Sequence, residues 1–141
     1  MPLTRARFKK LADLRLREAR ELLKKGYPNG ANYLAGYAVE CALKACIAKK
    51  TRKYEFPPEP AEIRLMYSHS FKDLLKAADL DTVLAADRRA DRDLDIYWNR
   101  LDSWGVALRY ETSLSRADAQ DLLNALDEPT HGVMQWLRAH W

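Results

Sequence analysis

The sequence predicts an all-α fold, an up-and-down bundle of four principal helices and one short helix. Three observations support this. Only five glycines and six prolines punctuate 141 residues. No run alternates apolar and polar residues at the period of a strand, and helical periodicity recurs throughout. A chain of this length makes one domain, residues 1–141, large enough to bury its own core. It contains no internal repeat and no low-complexity tract.

Residues 4–25 read as the first helix, with Thr4 as its cap and Gly26-Tyr27-Pro28 as its stop. Phe8, Leu11, Leu14, Ala19, Leu22 and Leu23 are assigned to its core face, with Arg15 and Glu18 projecting from the middle. The second helix runs from about Asn29 to Lys50. It is apolar nearly all round through "ANYLAGYAVECALKACIA", the pattern of a central buried element. Glu40 and Lys44 interrupt it four residues apart, in the order that favours an ion pair, with Tyr33 and Tyr37 on the same side. Tyr33, Tyr37, Glu40 and Lys44 are candidate ligand-binding residues. The alternative is an internal polar link, for example from Glu40 to Arg15 of the first helix. Cys41 and Cys46 fall on different parts of this helix and read as buried thiols rather than a disulfide or a metal pair.

"TRKYEFPPEPAEIRLMYSH" reads as a long loop with three prolines. A short helix then starts at about Ser70, where Ser70 and Asp73 match a capping box ahead of Phe71, Leu74, Leu75 and Ala78. His69 thus stands just outside a helix N-terminus, a place suited to an anion. Leu94, Tyr97, Trp98 and Leu101 set a helix of about Ala90 to Ser103, ended by Gly105, and Val106 to Thr112 reads as extended or irregular. From Ser115 to Trp141 the apolar stripe stays in phase across Pro129, which predicts one kinked helix.

Composition bounds the function. No stretch of eighteen uncharged apolar residues is present, and "MPLTRARFKKLADLR" lacks the apolar run of a signal peptide, so a cytoplasmic protein without membrane contact is expected. Residues 1–53 hold 14 Lys/Arg against 4 Asp/Glu, and residues 54–141 hold 10 against 16, so +10 is followed by −6. The basic half could face nucleic acid through Arg5, Arg7, Lys9 and Lys10, or be balanced by the acidic half of the same molecule. No cofactor motif and no metal-ligand cluster stands out.

"LLKKGYPNGANYLAGYAVECALKACIA", "HSFKDLL" and "WGVALRY" ahead of a long last helix resemble the HEPN domain of prokaryotes and higher eukaryotes. The resemblance implies a helical bundle, commonly dimeric, often encoded beside a nucleotidyltransferase in toxin–antitoxin or defence systems. It also implies RNA or a nucleotide as ligand. Many members are metal-independent ribonucleases with an arginine and, four to six residues on, a histidine late in the bundle. Arg109 with Tyr110 stands at that late position and is a candidate binding pair, but Leu114, Ser115 and Arg116 fill the places of the histidine.

The candidate catalytic pair is therefore Arg64 and His69, in which arginine would steady a phosphate and histidine would move protons. With 14 arginines and 3 histidines in 141 residues, about 0.9 such spacings arise by chance. Two functions follow: an interaction module acting as a homodimer or in a hetero-complex with a nucleotidyltransferase-type protein, or an endoribonuclease using Arg64 and His69.

Overall fold

The computed structural model describes residues 2–51 and 56–141; residues 52–55 of the long connection lie outside the described residues. It contains eight α-helices and a 3-10 turn among them: α1 (Arg5–Lys24), α2 (Pro28–Lys50), α3 (Pro60–Met66), α4 (Phe71–Ala77), α5 (Asp81–Ala90), α6 (Arg92–Leu101), η1 (Val106–Tyr110), α7 (Arg116–Asp127) and α8 (Val133–His140). No strand occurs among the described residues.

The centre is α2, which packs along α1 and also meets α4, α7, α8 and η1. Alanines at 31, 35, 38, 42 and 45 are all buried, and they let neighbouring helices approach closely. Leu34 and Cys41 are half-buried. Both cysteines are free thiols, pushed up to about 11 by burial. Gly36 faces the indole of Trp104, where an added Cβ would lie 1.8 Å from Cε2. Glycine is therefore needed there for close approach, not for backbone freedom.

On α1, Thr4 caps the start by accepting from the Arg7 amide at 3.2 Å. Gly26, at φ +86, turns the chain after the helix, with the Gly26 and Tyr27 amides donating to the Leu23 and Leu22 carbonyls. The buried stripe is Ala12, Leu16, Ala19 and Leu23. Leu14, expected on the core face, is only half-buried and stands nearly opposite that stripe at ~100° per residue. The small side chains of Ala12 and Ala19 suit the alanine-lined α2 better than leucines do. Arg5 donates to the Trp141 carbonyl at 2.5 Å and the Lys9 ammonium lies 5.0 Å from the Trp141 ring, so part of the basic first helix is engaged within the molecule. Arg20 pairs with Asp127, and Lys50 with Asp79 at 2.7 Å, which balances charge between the two halves of the chain.

Four expectations change. The proline-rich loop contains α3, started by Pro60 at its first position and by a reciprocal cap between Glu59 and Glu62, although α3 buries no residue. The charged stretch before residue 91 is α5, which escapes periodicity because only Leu84 is buried. Val106 to Tyr110 winds as 3-10 turn instead of running extended. The last segment is two helices: Pro129 disfavours helical backbone at Glu128, which is at ψ 123, and the chain turns before α8. There the Gly132 amide donates to the Glu128 carbonyl at 3.0 Å, and an added Cβ on Gly132 would meet that oxygen at 2.2 Å. The stripe stays in phase because both helices bury apolar residues in the same core cluster.

Replacing Gly36 by alanine should destabilise the protein by about 2 kcal/mol, since the indole has to shift within a packed core. Urea denaturation measures this, and Gly36→Ala/Trp104→Leu should recover part of the loss.

Candidate functional site

The polar centre of the molecule is Glu40, 3% exposed in the middle of α2. Its Oε1 accepts from the Lys44 ammonium at 2.9 Å, one turn along the same helix, and lies 2.9 Å from Nδ1 of His69. A buried carboxylate needs such partners, because an isolated charge in this setting is costly. An ionised carboxylate can only accept, so His69 donates to it through Nδ1, which leaves Nε2 as the other polar atom of the ring. Oε2 of Glu40 is buried and has no hydrogen-bond partner. Arg15, the alternative partner for Glu40, instead bonds Glu18 at 2.6 Å.

His69 reaches α2 because the chain before α4 is held by its own serines. Ser68 Oγ donates to Asp73 at 2.8 Å and accepts from the Ser70 amide at 3.0 Å, while Ser70 Oγ accepts from the Asp73 amide at 3.4 Å. The first-turn amide of Asp73 is thus already engaged. The His69 side chain remains 52% exposed. Beside it lies a cleft of about 440 Å³ bordered by Phe71, Lys72, Asp102, Trp104 and Val106.

Trp104 is the hub of an aromatic wall. It stacks on Phe71 at 5.2 Å and on Tyr33 at 6.0 Å between centroids, meets Tyr37 edge-on at 6.3 Å, and donates through Nε1 to the Asn32 carbonyl at 3.0 Å. Tyr33 and Tyr37 contact each other edge-on at 5.2 Å. The Tyr37 hydroxyl is pushed up to about 12 by its polar contact with Tyr33, by burial and by the charge of Glu40. On η1, the Arg109 guanidinium lies 4.9 Å from the Tyr110 ring, and both side chains are exposed.

The structure thus brings Glu40, Lys44 and His69 into direct contact and sets Tyr33 and Tyr37 against Trp104. It does not join Arg64 to them: Arg64 is exposed on α3, and no hydrogen bond or ion pair links it to His69 among the described residues. A family model described as HEPN domain matches residues 6–129, most of the chain. The chain belongs to the HEPN domain family. This is a family of nucleotide-binding or ribonuclease-like modules. No curated protein and no solved structure gives a significant match. No helix of this HEPN domain, among the described residues, is long and apolar enough to cross a membrane.

Sequence reading did not single out Phe71, Lys72 or Trp104 as site residues, although "HSFKDLL" and "WGVALRY" contain all three. It also missed a second polar cluster. Asp91 caps α6 by accepting from the Asp93 and Leu94 amides at 3.0 and 3.1 Å, and its Oδ2 lies 2.6 Å from Nδ1 of His131. Asp91, Asp93 and His131 bring one ligand atom each within 4.8 Å of one another. The capping and hydrogen bonds account for that grouping as a tie between α6 and the turn before α8. Forty residues separate Asp91 from His131, a distance no local motif spans.

Two outcomes follow. Glu40→Ala should cost about 3 kcal/mol by urea denaturation, because it strands the Lys44 ammonium, and a loss under about 1 kcal/mol would mean that water reaches the cluster. The hydrogen bond to Asp91 raises the affinity of His131 for a proton above its ordinary 6.5. The stability it lends is therefore present below that value and lost as pH rises through the raised one. Imidazole NMR titration should show a midpoint above 6.5 that falls toward that value in Asp91→Asn.

Proposed function

We propose that this HEPN domain is an interaction module for a nucleic-acid-directed partner of nucleotidyltransferase type, in a toxin–antitoxin or defence setting, with little ribonuclease chemistry of its own. One observation carries the reading: His69 is committed through Nδ1 to the buried Glu40. Arg64 is exposed on α3, with no ion pair to hold it at the histidine among the described residues. At the late position Arg109 lies against Tyr110, and Leu114, Ser115 and Arg116 follow where a histidine would have to stand. The exposed apolar side chains of Phe56, in the connection before α3, and Tyr67, just after it, are 95% and 78% exposed and suit a partner-facing segment. The family resemblance supplies the partner type and the genetic setting.

A second reading, a metal-independent endoribonuclease using Arg64 and His69, is favoured by one detail. A buried carboxylate on Nδ1 leaves Nε2 of a neutral ring unprotonated, which suits a general base. An assay of purified protein on single-stranded and structured RNA, with chelator present, separates the two. Little or no cleavage is expected. Robust cleavage lost in both His69→Ala and Arg64→Ala, with the fold intact by circular dichroism, makes the ribonuclease reading correct.

A further inference from the structure

Two asparagines stand near the start of α2, and only one has a structural task. Asn29 Oδ1 accepts from the Leu114 amide at 3.1 Å and ties the segment before α7 to α2. Asn32 is 8% exposed, and its main-chain carbonyl accepts from the Trp104 indole at 3.0 Å. Its side-chain amide has no hydrogen-bond partner among the described residues. An asparagine so deeply buried ordinarily bonds its amide to the protein, because an unmet donor or acceptor away from water is unfavourable.

Asn32 borders a cavity of about 260 Å³ between α2, α6, η1 and α7. Trp104, Leu108, Leu114 and Leu122 give the cavity apolar walls, and Arg100, Ser103 and Asp118 complete the lining. Two of these polar residues are already engaged. Arg100 donates to the Asp118 carbonyl at 3.2 Å, which joins α6 to α7, and the Asp118 carboxylate accepts from the Ser115 hydroxyl at 2.8 Å. The cavity shares only Trp104 with the cleft beside His69.

We propose that this cavity binds a small carboxamide, whose amide edge pairs with the side chain of Asn32. The argument is a match of donors and acceptors. An asparagine amide offers an N–H and a C=O on one edge, and a primary amide presents the same two groups in reciprocal order, so both pair at once. A carboxylate has acceptors only. It would take the Asn32 N–H and set its second oxygen against Oδ1. An ammonium or guanidinium has donors only, and would also meet the Arg100 cation in the cavity wall. The body of the ligand is apolar, because three leucines and an indole face it. A volume of about 260 Å³ lies just under the ~300–1,000 Å³ of pockets for drug-sized molecules, so the ligand is compact.

This site goes beyond the reading of the protein as an interaction module and does not depend on it; RNA cleavage leaves it untouched. Benzamide and benzoate are the probes, since they differ only in the polar group. In proton–nitrogen correlation NMR of the full chain, benzamide should shift the side-chain amide resonances of Asn32 saturably, with a Kd on the order of 1 mM for a fragment of this size. Nuclear Overhauser contacts from its ring to the Leu114 and Leu122 methyl groups should place it in the cavity. Benzoate should bind about 10-fold more weakly or not at all, because it leaves Oδ1 unpaired. Asn32→Leu removes both pairing atoms and should weaken benzamide about 10-fold or more while the protein stays folded by circular dichroism. Absence of a saturable shift, equal affinity for benzoate, or undiminished binding of benzamide in Asn32→Leu overturns the proposal. The benzoate comparison is made on the wild type, so it decides the matter even where that variant fails to fold.

Discussion

A carboxylate in the middle of the most apolar helix constrains the structure around it. Helix α2 packs against α1, α4, α7, α8 and η1, and Glu40 on it is left only 3% exposed. Its charge has to be met from within. Lys44 does so locally because i, i+4 spacing places the two side chains together. His69 does so from another element, and that contact ties the entry of α4 to α2. Helix α4 has only seven residues and buries Leu74, Leu75 and Ala77, a small apolar anchor. The polar tie and the serine cap before it therefore set where the helix begins and how it approaches the centre.

The aromatic wall adjoins this polar cluster for a related reason. Gly36 removes one side chain from α2, and the space admits the Trp104 indole against the helix backbone, where its N–H finds the Asn32 carbonyl. Tyr33, Tyr37 and Phe71 then surround the ring. A single missing Cβ thus brings the turn after α6 onto α2 and forms one wall of the cleft beside His69. The charge of Glu40 extends into this wall, where it adds to the resistance of Tyr37 to ionisation. The polar and aromatic parts of the site act on each other through α2, which carries both.

Much of this was readable in the sequence, for reasons specific to each element. The continuous apolar run of α2 marked it as central, and Ser70 marked the start of α4, where its Oγ accepts from the Asp73 amide; the expected capping box is only half formed, because the Asp73 carboxylate and the Ser70 amide both bond Ser68. The Glu40–Lys44 pair followed from spacing alone. The His69–Glu40 contact did not, since 29 residues and a loop separate the two side chains. Helices α3 and α5 were obscured because they bury no residue and one residue respectively, so periodicity had nothing to register. In the last segment periodicity misled in the other direction. Two helices lining one core kept the stripe in phase, and the conformational restriction that Pro129 places on Glu128 was the better guide.

The first helix shows the same limit in a more useful form. Sequence reading gathered Leu14 with Leu22 and Leu23 onto the core face because large apolar residues ordinarily belong there, and Leu14 is the one that stands outside the core. The fold instead presents Ala12, Leu16, Ala19 and Leu23 to α2, since an alanine-rich helix can be approached closely only by a face that is itself partly small. Close packing of α1 on α2 and the position of Leu14 outside the core are thus consequences of one choice of side-chain size. The groove between the two helices lies at the margin of that packing: Leu22 and Leu34 pack against the core and show one side to water, Leu14 stands outside it, and charges rim the opening.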